Sequence, residues 1–220
     1  MKHLLTVILV LASLCANSQT LDKTSGNIKG NVTEQNGNPV FDATVYAVPQ
    51  DLTLDGITPR SVQTDRKSAF DFTGGLPWGH YKLYACKSKD GCPSPLDSFY
   101  ADSQVEAVKA ELREDSPSAE VTVNMGEKAG IITGRVLDAD TGGPVEARVV
   151  FRREDGEGGH AVTSRSKDGE YRVLLPPGKD VMIAMVHIEP GDRSLAPLPT
   201  LRLRLEPAQQ IVLDIPISSK

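Results

Sequence analysis

Gly26-Asn27-Ile28-Lys29-Gly30-Asn31-Val32 returns 104 positions later as Gly130-Ile131-Ile132-Thr133-Gly134-Arg135-Val136. The turn Asn36-Gly37-Asn38-Pro39-Val40 is answered by Thr141-Gly142-Gly143-Pro144-Val145, and Ala43-Thr44-Val45 by Ala147-Arg148-Val149. Further on, Leu76-Pro77-Trp78-Gly79 is echoed by Leu175-Pro176-Pro177-Gly178. A repeat of this length is the size of a small domain, not of a solenoid unit. Two tandem copies of one β-domain are expected, 24–126 and 127–220, with a short junction near Gly126–Gly130, so that the modules touch.

The repeated stretches alternate with period two. Ile28, Gly30 and Val32 point one way and Lys29, Asn31 and Thr33 the other; Ile132, Gly134 and Val136 do the same. Ala43/Val45/Ala47 and Ala147/Val149/Phe151 continue the pattern. Such alternation puts one face on a core and one in water, the arrangement of a sandwich sheet. A glycine in mid-strand weakens it, so one that recurs implies close backbone approach or a bulge. Asn36-Gly37, Gly142-Gly143 and Asp168-Gly169 supply turn geometry. Short strands separated by turns, with almost no helix, argue for an all-β sandwich. One segment differs: Ser98–Leu112 carries Val105, Val108 and Leu112 among Ala and Glu, which predicts a short amphipathic helix inserted in the first copy.

Met1-Lys2-His3, the apolar run Leu4–Leu14 and the small residues at Ala16–Ser18 read as a secretory signal peptide over 1–18. The run is too short to cross a bilayer, and no second apolar segment exists. Leu14 before Cys15 departs from a lipoprotein signal, so an ordinary cleaved leader and a periplasmic or extracellular destination are expected. Cleavage removes Lys2 and no acid, taking the formal charge from -5 to -6. An acidic export product without a Lys/Arg cluster is a poor nucleic-acid binder. Cys86 and Cys92 then remain, and an oxidising compartment predicts a local disulfide, which would contribute on the order of 2 kcal/mol through so short a loop.

The framework Gly-x-Val, Gly-x-Pro-Val, Ala-x-Val, Asp-Gly-x-Tyr and Leu-Pro-Pro-Gly resembles carboxypeptidase regulatory-like domains. It is carried best by Gly134, Val136, Gly143, Pro144, Ala147, Asp168, Gly169, Tyr171, Leu175, Pro176 and Gly178. The resemblance covers about residues 24–88 and 128–187. It implies seven-stranded transthyretin-like β-sandwiches, classed with carbohydrate-binding-like folds, that serve as non-catalytic accessories of exported proteins. The first copy departs from the pattern: Lys67-Ser68-Ala69 replaces the Asp-Gly turn, Trp78 replaces a proline, and Gly74-Gly75 is inserted. The motif residues are structural, so they transfer a fold and no active site.

Catalytic and metal-binding signatures are missing. His80, His160 and His187 follow the leader without HxxxH or HExxH spacing, and no GxSxG occurs. The pairs Asp138/Asp140 and Asp51/Asp55 read as turn formers, short of a calcium loop. An internal Lys29–Asn124 amide crosslink is disfavoured because Lys29 falls on the solvent face. No enzyme, cofactor or metal is therefore expected. The candidate ligand-binding residues are Trp78, Tyr81, Tyr84 and Tyr100, with Phe99 adjacent. Two readings stand: an aromatic platform that stacks on sugar, or rings that pack in the module. The first gives a secreted module binding a glycan or an envelope protein. The second gives a structural spacer or assembly module with no small-molecule ligand. The oligomeric state is left open.

Overall fold

A computed structural model describes residues 25–51, 58–73, 75–103, 106–188, 193–195 and 201–218. The expected leader, 1–18, lies outside the described residues. The first half contributes β1 (Ser25–Thr33), β2 (Thr44–Pro49), β3 (Arg60–Gln63), β4 (Ala69–Asp71), β5 (Leu76–Pro77), β6 (Gly79–Cys86), β7 (Val108–Leu112) and β8 (Ser118–Asn124). The second contributes β9 (Gly130–Asp138), β10 (Ala147–Arg153), β11 (Gly159–Thr163), β12 (Glu170–Leu175), β13 (Val181–Ile188), β14 (Arg193–Leu195), β15 (Arg202–Leu203), β16 (Gln210–Val212) and β17 (Ile215–Ile217). Among the described residues, helix is confined to 3-10 turns at Ser88–Asp90 and Ser98–Ser103.

The pairing repeats as the sequence does. β1 runs antiparallel to β4 and parallel to β8, and β9 runs antiparallel to β12 and parallel to β16 and β17. The facing sheets are β3-β2-β6-β7 and β11-β10-β13-β14, with β15 also on β13. Two hydrophobic clusters result. In one, Ile28, Val32, Phe70, Phe72 and Val123 meet Val45, Ala47, Tyr81, Leu83 and Ala85. In the other, Ile132, Val136, Tyr171, Val173 and Ile215 meet Val149, Phe151, Val181, Ile183 and Val186. The inward positions are those that the alternation assigns, because a strand can bury only every second side chain when one face is solvated.

The recurrent mid-strand glycine has a steric cause. A Cβ on Gly30 would lie 1.7 Å from the Val121 carbonyl oxygen, and one on Gly134 would lie 1.9 Å from that of Leu213. In both halves the backbone that runs parallel alongside the first strand comes this close at that point, so no side chain fits. Buried hydroxyls also recur. Thr64 Oγ1 accepts from the Ala43 N–H at 2.9 Å and donates to the Val40 carbonyl at 2.9 Å. Ser164 Oγ accepts from the Ala147 N–H at 2.9 Å and donates to the Val145 carbonyl at 2.8 Å.

The helix expected over Ser98–Leu112 does not form. Its start is the 3-10 turn, Val105 lies outside the described residues, and Val108–Leu112 is strand β7 on the edge of β6. Val108 and Leu112 are four apart, a spacing that fits one helix face and one strand face alike. Backbone pairing to β6 decides for the strand, which buries Ala110 and Leu112 and exposes Lys109 and Glu111.

Candidate functional site

The four candidate rings do not share a surface. Trp78 is half-buried against the first cluster, with its ring over Gly26, where a Cβ would come within 2.8 Å of it. Tyr81 lies inside that cluster, 1% exposed, and its hydroxyl donates to the Pro77 carbonyl at 2.7 Å. Burial pushes that phenol up to about 12. Tyr84 is half-buried and pairs across the strands with Tyr46, on the opposite side of its sheet from Tyr81. Tyr100 belongs to the other hydrophobic cluster. The rings are thus divided between two cores and two faces of one sheet.

The expected Cys86–Cys92 disulfide is not formed, and both thiols are free and buried. The register gives the reason. Cys92 pairs with Lys87 by two backbone hydrogen bonds, of 2.8 and 3.2 Å, which puts its side chain on the Lys87 side. Cys86 points to the other side, where it hydrogen-bonds with Tyr46 and Ser94. Cys92 belongs to the first hydrophobic cluster. Desolvation raises both thiols, that of Cys92 to about 11.

The most built-up constellation joins the two halves, and sequence reasoning missed it. The 3-10 turn after Leu96 carries Phe99 and Tyr100 out of the first half and into the second cluster, where they are 0% and 4% exposed. The Tyr100 hydroxyl donates to the Leu174 carbonyl at 3.0 Å. His160 of β11 stacks on Phe99, with ring centroids 5.8 Å apart and planes 19° apart. His160 Nδ1 also lies 3.3 Å from Asp97 Oδ2. A Cβ on Gly158 would come within 2.9 Å of the Phe99 backbone, so the glycine lets the turn seat on β11. The nearest sequence signal was the run Phe99-Tyr100, two large aromatics in a segment whose counterpart in the second half, Glu189–Pro199, holds three prolines and no Phe, Tyr or Trp.

A second polar array lies on the first half. The Asp51 carboxylate accepts from the His80 N–H at 2.6 Å and lies 2.9 Å from His80 Nδ1. His80 Nε2 lies 3.4 Å from Glu111 Oε1, and Arg113 Nε is 3.7 Å from the same oxygen. The Asp51 hydrogen bond raises His80, with lesser aid from Asp51 and Glu111 charge, and the His80 hydrogen bonds lower Asp51. Asp138 acts as a turn former: its Oδ1 accepts from the backbone N–H groups of Asp140 and Thr141 at 3.1 and 2.7 Å. Lys29 faces Glu120 at 3.6 Å, while Asn124 faces Thr33, so the parallel register keeps Lys29 and Asn124 four residues apart. Among the described residues, no group of three or more His, Cys, Asp or Glu side chains is placed to hold a metal ion, and no helix is long and apolar enough to cross a membrane.

No family model matches the chain, and no curated protein matches it. Solved structures do. A streptococcal ancillary pilin is 17% identical with a TM-score of 0.37, over 88% of this chain and 63% of that one. The chain therefore spans less than two thirds of that protein. A DUF3823 family protein from Parabacteroides merdae is 14% identical with a TM-score of 0.33, over 83% of this chain and 100% of that one. A mutant shaft pilin SpaA from Lactobacillus rhamnosus GG is 10% identical with a TM-score of 0.35, over 90% and 100%.

Proposed function

We propose that this chain is an exported, non-catalytic structural module of the cell envelope. It comprises two tandem transthyretin-like sandwiches of the carboxypeptidase regulatory-like kind, residues 24–126 and 127–220, coupled as one stiff unit. The observation that carries this reading is the seating of Phe99 and Tyr100 in the second hydrophobic cluster. A flexible tether between two independent binding modules would leave that turn in solvent. Here it covers the flank of β11 and fixes one half on the other. Such a unit sets distance and orientation, as a spacer or assembly element does. Tyr81 and Tyr100 lie in separate hydrophobic clusters, which supports packing over a shared sugar platform.

Scanning calorimetry of residues 19–220, a span that keeps every described residue, tests the coupling. The wild type is expected to melt in one transition and Phe99→Ala in two. Two transitions in the wild type would overturn the stiff-unit reading. A glycan array provides the opposing arm: sugar binding by the wild type that is lost in Trp78→Ala would replace the spacer with a carbohydrate-recognition module.

A further inference from the structure

The two halves differ in charge. Residues 25–126 hold nine Lys and Arg against fourteen Asp and Glu, a formal -5, and residues 127–220 hold thirteen against fourteen, a formal -1. Nine of the twelve arginines lie after residue 126. Their placement is uneven too. On the outer side of β10, Arg148 and Arg152 flank Val150. The register sets Arg148 beside His187 and Thr163, Val150 beside Met185 and Ala161, and Arg152 beside Met182 and Gly159. Arg202 follows Met182 on β15 and pairs with Glu154 at 2.9 Å. Arg148 and Arg152 enter no ion pair among the described residues, and these rows contain no acid. The result is a flat face with a partly exposed centre of Val150, Met182, Met185 and Ala161 between two exposed arginines whose backbone positions are roughly 13 Å apart along the strand. An open groove of about 490 Å³ runs along it between β10 and β11.

Methionine and arginine around an apolar centre are the composition of a protein-binding surface. A sugar surface would present Trp, Tyr or Phe rings, and this face has none of them. The complementary surface lies on the same chain. The turn between β7 and β8 carries Glu114 and Asp115, with Arg113 before them and Glu111 near the end of β7. The Asn27 N–H donates to the Pro117 carbonyl, so the turn sits beside the start of β1. The end of β1 lies toward residue 126, where the Met125 N–H donates to the Thr33 carbonyl. The acidic turn is thus at the far tip of the first half, away from the Arg148–Arg152 face.

We infer that the Arg148/Arg152 face of one copy receives the acidic Glu111–Asp115 tip of a second copy of this chain. Unlike patches meeting in this way make a heterologous contact, which propagates into a row of molecules unless the rotation closes a ring. The inference rests on the structural reading above and specifies what the module assembles with.

Sedimentation velocity on residues 19–220 tests it. The wild type is expected to self-associate at about 100 µM in about 50 mM salt and to dissociate at about 500 mM, since exposed charges are screened. Arg148→Glu/Arg152→Glu and Glu114→Lys/Asp115→Lys are each expected to weaken association about tenfold or more, because like charges then face each other. All four positions are exposed, so both variants keep the fold. Mixed in equal amounts, the two variants are expected to associate again, because one reversed surface meets the other. A monomeric wild type at low salt overturns the inference, as does association that survives Arg148/Arg152 reversal or a mixture that stays apart. A monomer retained by an acidic polysaccharide column through Arg148 and Arg152 would assign the face to a polyanion and overturn it as well. A monomer that still melts in one transition would leave the spacer reading standing.

Discussion

Gly134 shows how much one missing side chain decides. Its place in the strand looks costly, since glycine weakens a strand by conformational entropy. The cost is accepted because the Leu213 carbonyl occupies the site of a Cβ. Gly134→Ala, and Gly30→Ala likewise, should lower stability by about 3 kcal/mol, read as a shift in urea midpoint, since backbone must move to admit the methyl group. An unchanged midpoint would show that the last strand slides freely. Thr64 and Ser164 act differently: each hydroxyl satisfies a buried N–H and a nearby carbonyl that no strand partner reaches. His80 sets the pH behaviour of the first half's surface. Its folded pKa is raised, so its bond to Asp51 stabilises most below about 6.5 and is lost as pH rises through the folded value. Asp51 is lowered, so its share is present above about 3.8 and is lost as pH falls through the folded value. The pair therefore holds best between those limits. An NMR titration should place His80 above 6.5, and Asp51→Asn should bring it back toward that value.

At the scale of elements, the 3-10 turn at Ser98–Ser103 and strand β7 replace a single helix. The apolar spacing in that segment satisfies two periods at once, and only the open edge of β6 distinguishes them. The turn in turn shields the flank of β11, an edge that would otherwise offer unpaired backbone groups to another chain. Phe99 is its anchor, 0% exposed. Phe99→Ala should cost about 4 kcal/mol, and it should lower the melting of the second half more than that of the first. Equal effects on both would show that the ring stabilises its own half. The Cys86–Cys92 segment makes a second element-scale prediction. Both thiols are buried on opposite sides of one hairpin, so a thiol reagent should leave native residues 19–220 unlabelled and label both cysteines after denaturation, with or without prior reduction. Labelling that needs prior reduction would show a disulfide.

The whole molecule is two hydrophobic clusters with one turn passing from the first half into the second. Its charge is distributed along its length, acidic at the first half's tip and rich in arginine on one face of the second. That polarity, with the stiff connection proposed between the halves, suits a body that repeats head to tail. Self-association that depends on salt and on Arg148 and Arg152 is the expected outcome at this scale.

The sequence alone determined the all-β class and most inward-facing positions, because alternation and turn residues are local signals and Gly30 and Gly134 repeat them in register. It also flagged the glycines as points of close approach, though not what approached. Tertiary structure decided the rest. Cys86 and Cys92 are near in sequence, but strand pairing turns them to opposite sides. Tyr81 and Tyr100 look like members of one aromatic group, but they enter different cores. The joint between the halves depends on Phe99 meeting His160, residues 61 positions apart, and Arg148 stands beside His187 only because β10 pairs with β13. Contacts of that separation leave no periodic trace in a chain, since periodicity records which face a residue lies on and not what it meets there.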